Sequence, residues 1–256
     1  MENKDLLSKY FDKVVILNLI KDSHKKYNMD KQCEDLFRRS YSYHKAVIFS
    51  GNKSILEGFN NANTGQFRKP NEVGCAMEHY RIIKEAYEEG LNNILVMEDD
   101  IAFLKNWEYI KNTFEHIPAD WNILMMSSYI GIKSEEDIDL LKNSEKVNDY
   151  WFIPFWPGWC TAMYALNRKG MQYYLNSQDL FFQVADMPLY NALKFQENKK
   201  HINTYFSIQP LAIQKDLYYA SSIRNQHEIL EKKKWNLYEK NIDEKNYYDF
   251  SEFEDK

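Results

Sequence analysis

Apolar and polar positions along the chain follow two periods, and each period predicts one kind of element. Short apolar runs bounded by polar residues indicate buried strands, while apolar residues three and four positions apart indicate amphipathic helices. The predicted strands are 14–19, 46–49, 94–97, 122–126, 150–153, 160–166 and 204–208. One predicted helix follows a cap at Asp22 or Ser23, and three others span 72–89, 107–116 and 168–175. Strands that alternate with helices in this way predict an α/β domain.

The most informative strand is the apolar run 94–97, which leads directly into Glu98, Asp99 and Asp100. In open α/β sheets, ligands bind outside the carboxyl ends of the strands. Adjacent carboxylates repel one another there unless a cation joins them, and oxygen ligands suit Mg²⁺ and Mn²⁺. The segment therefore predicts a metal-assisted reaction on a phosphorylated substrate. The alternative is an ordinary solvated turn or helix cap.

The shape of the strand decides which of these acids act together. Alternate residues of a strand share a face, so a strand that persists to Asp100 places Glu98 and Asp100 on one side and Asp99 on the other. If the chain bends after Met97, Asp99 and Asp100 become the pair. The helix before this strand is expected to be capped by Asn71 and to end at Gly90.

Composition limits the classes of function. The chain has 256 residues, a net charge of −5 and a pI near 5.8, which argues against nucleic acid as a partner. We expect one main domain over 1–227 and a charged tail over 228–256, helical or partly disordered. No bilayer-length apolar run and no signal-peptide pattern is visible, so we expect a cytoplasmic protein, with at most peripheral contact with the inner membrane surface through Lys232–Lys234.

Several motifs are missing. The sequence has no G-x-G-x-x-G after the first strand and no G-K-[ST], which disfavours dehydrogenases and P-loop enzymes. Its three cysteines are far apart and imply no disulfide framework. Cys75 and His79 have a spacing that suits a metal, but the nearby sequence offers no two further ligands, so a zinc site is not expected.

The segment from Gly74-Cys75 through His79 to the strand that ends in Glu98-Asp99-Asp100 resembles the signature of the family 25 glycosyltransferases. That family includes bacterial lipopolysaccharide galactosyltransferases and collagen galactosyltransferases. Further segments resemble it in the same order over residues 13–224, namely 15–19, 158–170, 184–186, 209–214 and 221–223. One departure is Glu78, which stands where the family has Ser.

The resemblance implies a GT-A-like nucleotide-sugar-binding domain with a central, mostly parallel sheet flanked by helices. It implies transfer of a sugar, most simply galactose from UDP-galactose, to a glycan or other hydroxyl acceptor, with inversion and with Mn²⁺ or Mg²⁺. The metal ligands would be Glu98 and Asp100, and Asp186 would be the catalytic base. The residues that would contact the donor are Asn18, His79, Asp99 and Gln214.

Each assignment has a structural alternative. Asp186 can simply cap a helix, His79 can be a core histidine, and Asn18 can be a turn residue. A different class of function also stays open, because Glu78 is the kind of change expected in a non-catalytic carbohydrate- or partner-binding protein built on a decayed transferase domain.

Overall fold

The computed structural model describes residues 6–19, 22–37, 41–46, 70–127, 144–153, 161–178, 185–194, 202–215 and 244–248. The helices are α1 (Leu6–Tyr10), α2 (Ser23–Phe37), α3 (Pro70–Glu88), α4 (Trp107–Glu115), α5 (Arg168–Ser177) and α6 (Met187–Lys194), with a 3-10 helix at Glu244–Asn246. The strands are β1 (Lys13–Leu19), β2 (Ser42–Ala46), β3 (Asn93–Glu98), β4 (Ile101–Phe103), β5 (Ile123–Met125), β6 (Glu145–Lys146), β7 (Trp151–Ile153), β8 (Met163–Asn167), β9 (Thr204–Ser207) and β10 (Ala212–Gln214).

A central eight-stranded sheet has the order β2-β1-β3-β8-β5-β9-β7-β6. The pairs β1·β2, β1·β3 and β5·β9 are parallel, and β8 lies antiparallel between β3 and β5. Strand β7 is antiparallel to both of its neighbours. It follows that β8 and β7 run against the other six strands. The expected α/β architecture with a mostly parallel sheet is confirmed.

Strand β3 lies at the centre of the core. Leu95 and Met97 pack into one apolar cluster with residues of α1, α2 and α4, whereas Ile94 and Val96 pack into another with residues of α3 and α5. All four side chains are fully buried. A strand covered by helices on both faces needs apolar residues at every position, which explains the unbroken run in the sequence.

Helix α3 delivers the chain to β3 and ends as the sequence predicts. Gly90 has φ of +79°, its N–H donates to the Tyr87 carbonyl, and the Leu91 N–H donates to the Ala86 carbonyl. This is the Schellman arrangement that ends a helix at glycine. The expectation of an Asn71 cap is wrong, because the helix already begins at Pro70, a residue well suited to a first helical turn.

Two expectations about strands are also wrong. The second strand is Ser42–Ala46 rather than 46–49, of which residues 47–49 lie outside the described part of the chain. This edge strand has one face near solvent, so it lacks the apolar run that marks buried strands. The last strand is not 204–208, because β10 follows it and pairs antiparallel with β4.

Part of the charged tail packs on the domain. Tyr247 is buried, its hydroxyl donates to the Pro210 carbonyl, and it forms a bridge with Leu104. Lys232–Lys234 and 221–223 lie outside the described residues. The division at residue 227 stays a prediction. Within the described ranges, no helix combines the length and the apolar character that crossing a bilayer requires.

Candidate active site

The acidic triplet lies where β3 ends. The strand stops at Glu98, and Asp99 and Asp100 form a turn before β4 begins. The Gln214 amide nitrogen donates to Glu98 Oε2 at 3.2 Å and to Asp100 Oδ1 at 3.4 Å. Asp99 instead accepts a 2.7 Å bond from the Asn18 amide. Glu98 and Asp100 therefore share one hydrogen-bond donor, and Asp99 does not. This is the pairing expected for a strand that persists to Asp100, although β3 itself ends at Glu98.

Glu98 is held from two sides. The Thr161 hydroxyl donates to its Oε1 at 2.6 Å, and His79 Nε2 lies 3.4 Å from the same oxygen. Burial disfavours the charged form, but contact with His79, the Thr161 hydroxyl and the charge of Lys25 outweigh it. The pKa of Glu98 is consequently lower than usual, and the side chain is an anion at neutral pH. Thr161 was not predicted, and its position 63 residues away leaves no local signal.

Asp99 faces a buried cation. Lys25 Nζ lies 3.5 Å from Asp99 and 3.8 Å from Asp22, and the whole Lys25 residue is only 5% exposed. Burial favours a neutral amine, yet the charges of Asp100, Asp99 and Asp22 together raise the pKa of Lys25. Burial also raises the pKa of Asp99, more than Lys25 and Asn18 lower it. We take Lys25 as charged, because three carboxylates act on one ammonium.

Lys25 is a site residue that sequence reasoning missed. It lies in the first turn of α2, three residues after Asp22, and the structure brings it to the triplet from 74 residues away. A lysine in the first turn of a helix opposes the helix dipole, so such a residue needs a compensating partner. That local conflict is one signal for Lys25 in the sequence.

His79 projects from α3 toward the sheet, as expected, and is fully buried. Its Nδ1 is hydrogen-bonded to the Tyr164 hydroxyl at 2.9 Å, and its Nε2 has no hydrogen-bond partner among the described residues. Cys75 lies one turn earlier, and the ligand atoms of Cys75, His79 and Glu98 are all within 4.8 Å of one another. The sequence shows only the spacing of Cys75 and His79, and the fold adds Glu98 as a third ligand atom.

Asp186 comes directly before α6. The Tyr174 hydroxyl donates to the neighbouring Ala185 carbonyl at 2.8 Å and fixes the start of this helix. Burial first, and then the charges of Glu98, Asp186 and Asp100, raise the pKa of the Cys75 thiol. Asp186 therefore acts electrostatically on the same thiol as Glu98 and Asp100. Its role as a base stays a prediction.

Glu78, the departure from the family pattern, points elsewhere. Its carboxylate is 2.7 Å from His44 on β2 and 3.2 Å from Arg81. His79 contacts β8, which is separated from β2 by β1 and β3. The two neighbours on α3 thus reach toward different parts of the sheet, and Glu78 makes its contacts away from the acidic triplet.

The side chains present suit a hard divalent cation. Glu98 Oε2 and Asp100 Oδ1 converge on one point, which the partially positive Gln214 amide nitrogen occupies. Both acids are partly exposed, so a ligand can reach them. A half-turn of the Gln214 amide presents its oxygen at the same point, and the set then becomes the oxygen donors that Mg²⁺ and Mn²⁺ prefer.

Comparisons of the sequence with a family model and with curated proteins agree on one family. Residues 11–188 match the model of "Glycosyltransferase family 25 (LPS biosynthesis protein)". Procollagen galactosyltransferase 1 of Danio rerio is 24% identical over 222 residues, which cover 81% of this chain and 34% of that protein. "Inactive glycosyltransferase 25 family member 3" of Homo sapiens is 29% identical over 138 residues, 49% of this chain and 21% of that protein.

The chain therefore spans about a third or less of the length of these relatives. Among solved structures, the apo form of mouse xyloside xylosyltransferase 1 aligns with a TM-score of 0.34 and 7% identity, covering 75% of this chain and 84% of that one. The family match includes β1, α3 and the whole acidic triplet, and it covers more than half of the sequence. On this match, the chain belongs to glycosyltransferase family 25.

Proposed function

We propose that this chain is a metal-dependent glycosyltransferase that moves a sugar, most simply galactose from UDP-galactose, to a hydroxyl group of a glycan or other acceptor. The observation that carries the proposal is the convergence of Glu98 and Asp100 on one point at the carboxyl end of β3. Charged Lys25 lies beside it, and its charge interacts with Asp100. Such a site recognises a diphosphate held by a divalent cation.

The leaving group of this reaction is a nucleoside diphosphate, whose negative charge grows as the sugar–phosphate bond breaks. A bound Mn²⁺ or Mg²⁺ supplies charge neutralisation for that group. Glu98 and Asp100 would hold the cation. The Lys25 ammonium adds a second positive charge, kept in place by Asp22 and Asp99. Asn18 lies one residue before the end of β1, next to β3, and orients Asp99 through its amide, so it supports the nucleotide side of the site.

Inversion requires a base on the acceptor side that takes the proton of the attacking hydroxyl. Asp186 is our candidate, because the N-terminus of α6 favours an anion there and its charge acts on the same thiol as Glu98 and Asp100. We assign His79 to the donor side with Glu98, since its Nε2 lies 3.4 Å from Glu98 Oε1.

The competing function is a binding protein on a decayed transferase domain, and one similar human protein has "inactive" in its name. The sequence feature that suggested decay was Glu78. Its carboxylate pairs with His44 and Arg81, which gives Glu78 a structural role and weakens the case for decay.

A screen of donors separates the two functions. Purified protein is incubated with UDP-galactose, UDP-glucose, UDP-N-acetylhexosamines and a GDP-sugar, in Mn²⁺, Mg²⁺ or EDTA, and release of free nucleotide is scored. We expect slow release from one UDP-sugar with Mn²⁺ and none with EDTA. The matched control is Asp149→Asn, an exposed acid in the turn before β7, which should behave as wild type. Absence of nucleotide binding with and without metal contradicts the proposal.

A further inference from the structure

Glu98 takes part in two groups of ligand atoms, one on each carboxylate oxygen. Oε2 faces Gln214 and the proposed hard-cation site, whereas Oε1 faces His79. The spacing of Cys75 and His79 by itself gave only two ligands. The fold supplies Glu98 as the third, and all three ligand atoms lie within 4.8 Å of one another.

His79 provides the observation that points to a ligand. The residue is fully buried, and its Nε2 is directed toward Glu98 without forming a hydrogen bond to any described residue. The 3.4 Å separation of Nε2 from Glu98 Oε1 is an ion-pair distance without hydrogen-bond geometry, so a cation bound between the two atoms would satisfy both. The Tyr164 hydroxyl binds Nδ1 from the other side, as the outer partner of a metal-bound histidine commonly does, and it fixes the ring orientation.

We propose that Cys75, His79 and Glu98 form a second cation site, suited to Zn²⁺ or Co²⁺, that shares Glu98 with the hard-cation site. Thiolate and imidazole are the ligands that zinc prefers over magnesium or manganese. Zinc bonds of about 2.0–2.3 Å place tetrahedral ligands roughly 3.3–3.8 Å apart, so the three side chains need to close by about 1 Å. Solvent can fill the fourth position, since Cys75 and Glu98 are partly exposed.

Charge favours a cation here as well. The charges of Glu98, Asp186 and Asp100 all act at Cys75, so this position attracts a positive ion. When a divalent ion binds, the S–H proton leaves to solvent as the sulfur–metal bond forms. Binding is therefore accompanied by release of one proton from the thiol, and it leaves the oxidation states of sulfur and metal unchanged.

The test is Co²⁺ binding by the full chain, read by absorption. Thiolate ligation gives a near-ultraviolet sulfur-to-cobalt band, which we expect in the wild type and which Zn²⁺ should abolish by displacement. Cys75→Ser should remove the band and weaken Zn²⁺ binding by about a hundredfold. Cys33→Ala is the control, because Cys33 is buried in the core on the other face of the sheet and should leave the band intact.

X-ray absorption at the zinc edge supports the test without any variant. One sulfur at about 2.3 Å with nitrogen and oxygen neighbours is expected. A shell of nitrogen and oxygen alone, a cobalt band that survives in Cys75→Ser, or no band in the wild type at saturating Co²⁺ each overturns the proposal. All of these readouts are independent of catalysis.

Because the two cation sites share Glu98, Zn²⁺ and Mn²⁺ should compete for its carboxylate, and this expectation rests on the proposed function. Zn²⁺ draws the carboxylate toward α3, so it should inhibit Mn²⁺-supported transfer in the wild type while Cys75→Ser resists inhibition. If no transfer is found at all, the proposed function fails and the absorption result still decides the zinc site. If transfer is found and zinc inhibits both proteins equally, Glu98 is not shared.

Discussion

Asp99 and its two neighbours in the triplet differ in what surrounds them. Asp99 is 8% exposed, and its oxygens are taken by Asn18 and by Lys25, both within the protein. Glu98 and Asp100 are partly exposed, and both accept from the Gln214 amide. The three acids thus differ: Asp99 is enclosed by Asn18 and Lys25, whereas the outer two keep an exposed side that a ligand can reach.

The division follows from elementary constraints. Asp99 and Asp100 form the turn after β3, and the chain there directs Asp99 to Asn18 and Lys25. A buried carboxylate needs a partner of opposite charge, and Lys25 supplies one. The outer acids are partly exposed, so solvent or a cation can also reach them. Four substitutions in the triplet and around it test this difference, from the largest expected effect to the smallest.

Asp100→Asn should have the largest effect. The side chain keeps its shape but loses the charge that would bind a cation, so we expect Mn²⁺-supported turnover to fall by about a thousandfold. The midpoint of thermal unfolding should stay within a few degrees of wild type, since Asp100 is partly exposed. Nucleotide-release assays and a melting curve measure the two quantities. Normal turnover with normal metal dependence would remove Asp100 from the site.

Lys25→Met should have the largest effect on stability. The variant leaves Asp22, Asp99 and Asp100 facing one another without the ammonium, and breaking such a buried pair costs about 3 kcal/mol of unfolding free energy. Urea denaturation of the variant measures this loss. Lys26→Met is the matched control: Lys26 is exposed and pairs with Asp30 on the outside of α2, so its loss should stay below about 1 kcal/mol. Equal effects of the two would show that Lys25 is not an interior cation.

Asp186→Asn tests the acceptor side of the site. Loss of a general base slows transfer by about a hundredfold or more. Donor affinity should be unchanged, because Asp186 is proposed to contact the acceptor and not the metal or the diphosphate. Calorimetric titration of the donor, together with turnover numbers, measures both. A large loss of donor affinity would move Asp186 to the metal side.

Glu78→Ser should have the smallest effect. It restores the residue expected from the family pattern and removes the contact with His44, so we expect a loss of about 1 kcal/mol in stability and little change in turnover. Glu78→Gln is the companion variant, since it keeps the shape and a hydrogen bond. A strong gain of transferase activity in Glu78→Ser would support the decayed-domain reading.

Short sequence patterns predicted those parts of the fold that depend on neighbouring residues in the chain. The apolar run of β3 and the Gly90 stop of α3 are readable because a buried strand and a helix end each impose a short-range requirement on the sequence. Edge strand β2 imposes no such requirement, since Ala46 alone among its residues is buried, and the predicted range includes only that residue of it.

The site also combines residues that are adjacent in sequence with residues that only the fold brings together. The triplet is contiguous and could be identified from sequence, and the resemblance added Gln214 and Asn18, which do reach it. Lys25 and Cys75 could not be assigned in the same way. Their roles depend on contacts made across the fold, Lys25 with Asp99 over 74 residues and Cys75 with Glu98 on another element.

The most direct test of the central claim is Mn²⁺ affinity in the presence of UDP, measured by the paramagnetic resonance signal of free Mn²⁺. Wild type, Asp99→Asn and Asp100→Asn are compared, because all three keep the same shape at the triplet. The account predicts that Asp100→Asn weakens Mn²⁺ binding by about a hundredfold, whereas Asp99→Asn changes it by no more than about threefold. Loss of Mn²⁺ binding in Asp99→Asn with normal binding in Asp100→Asn would contradict it.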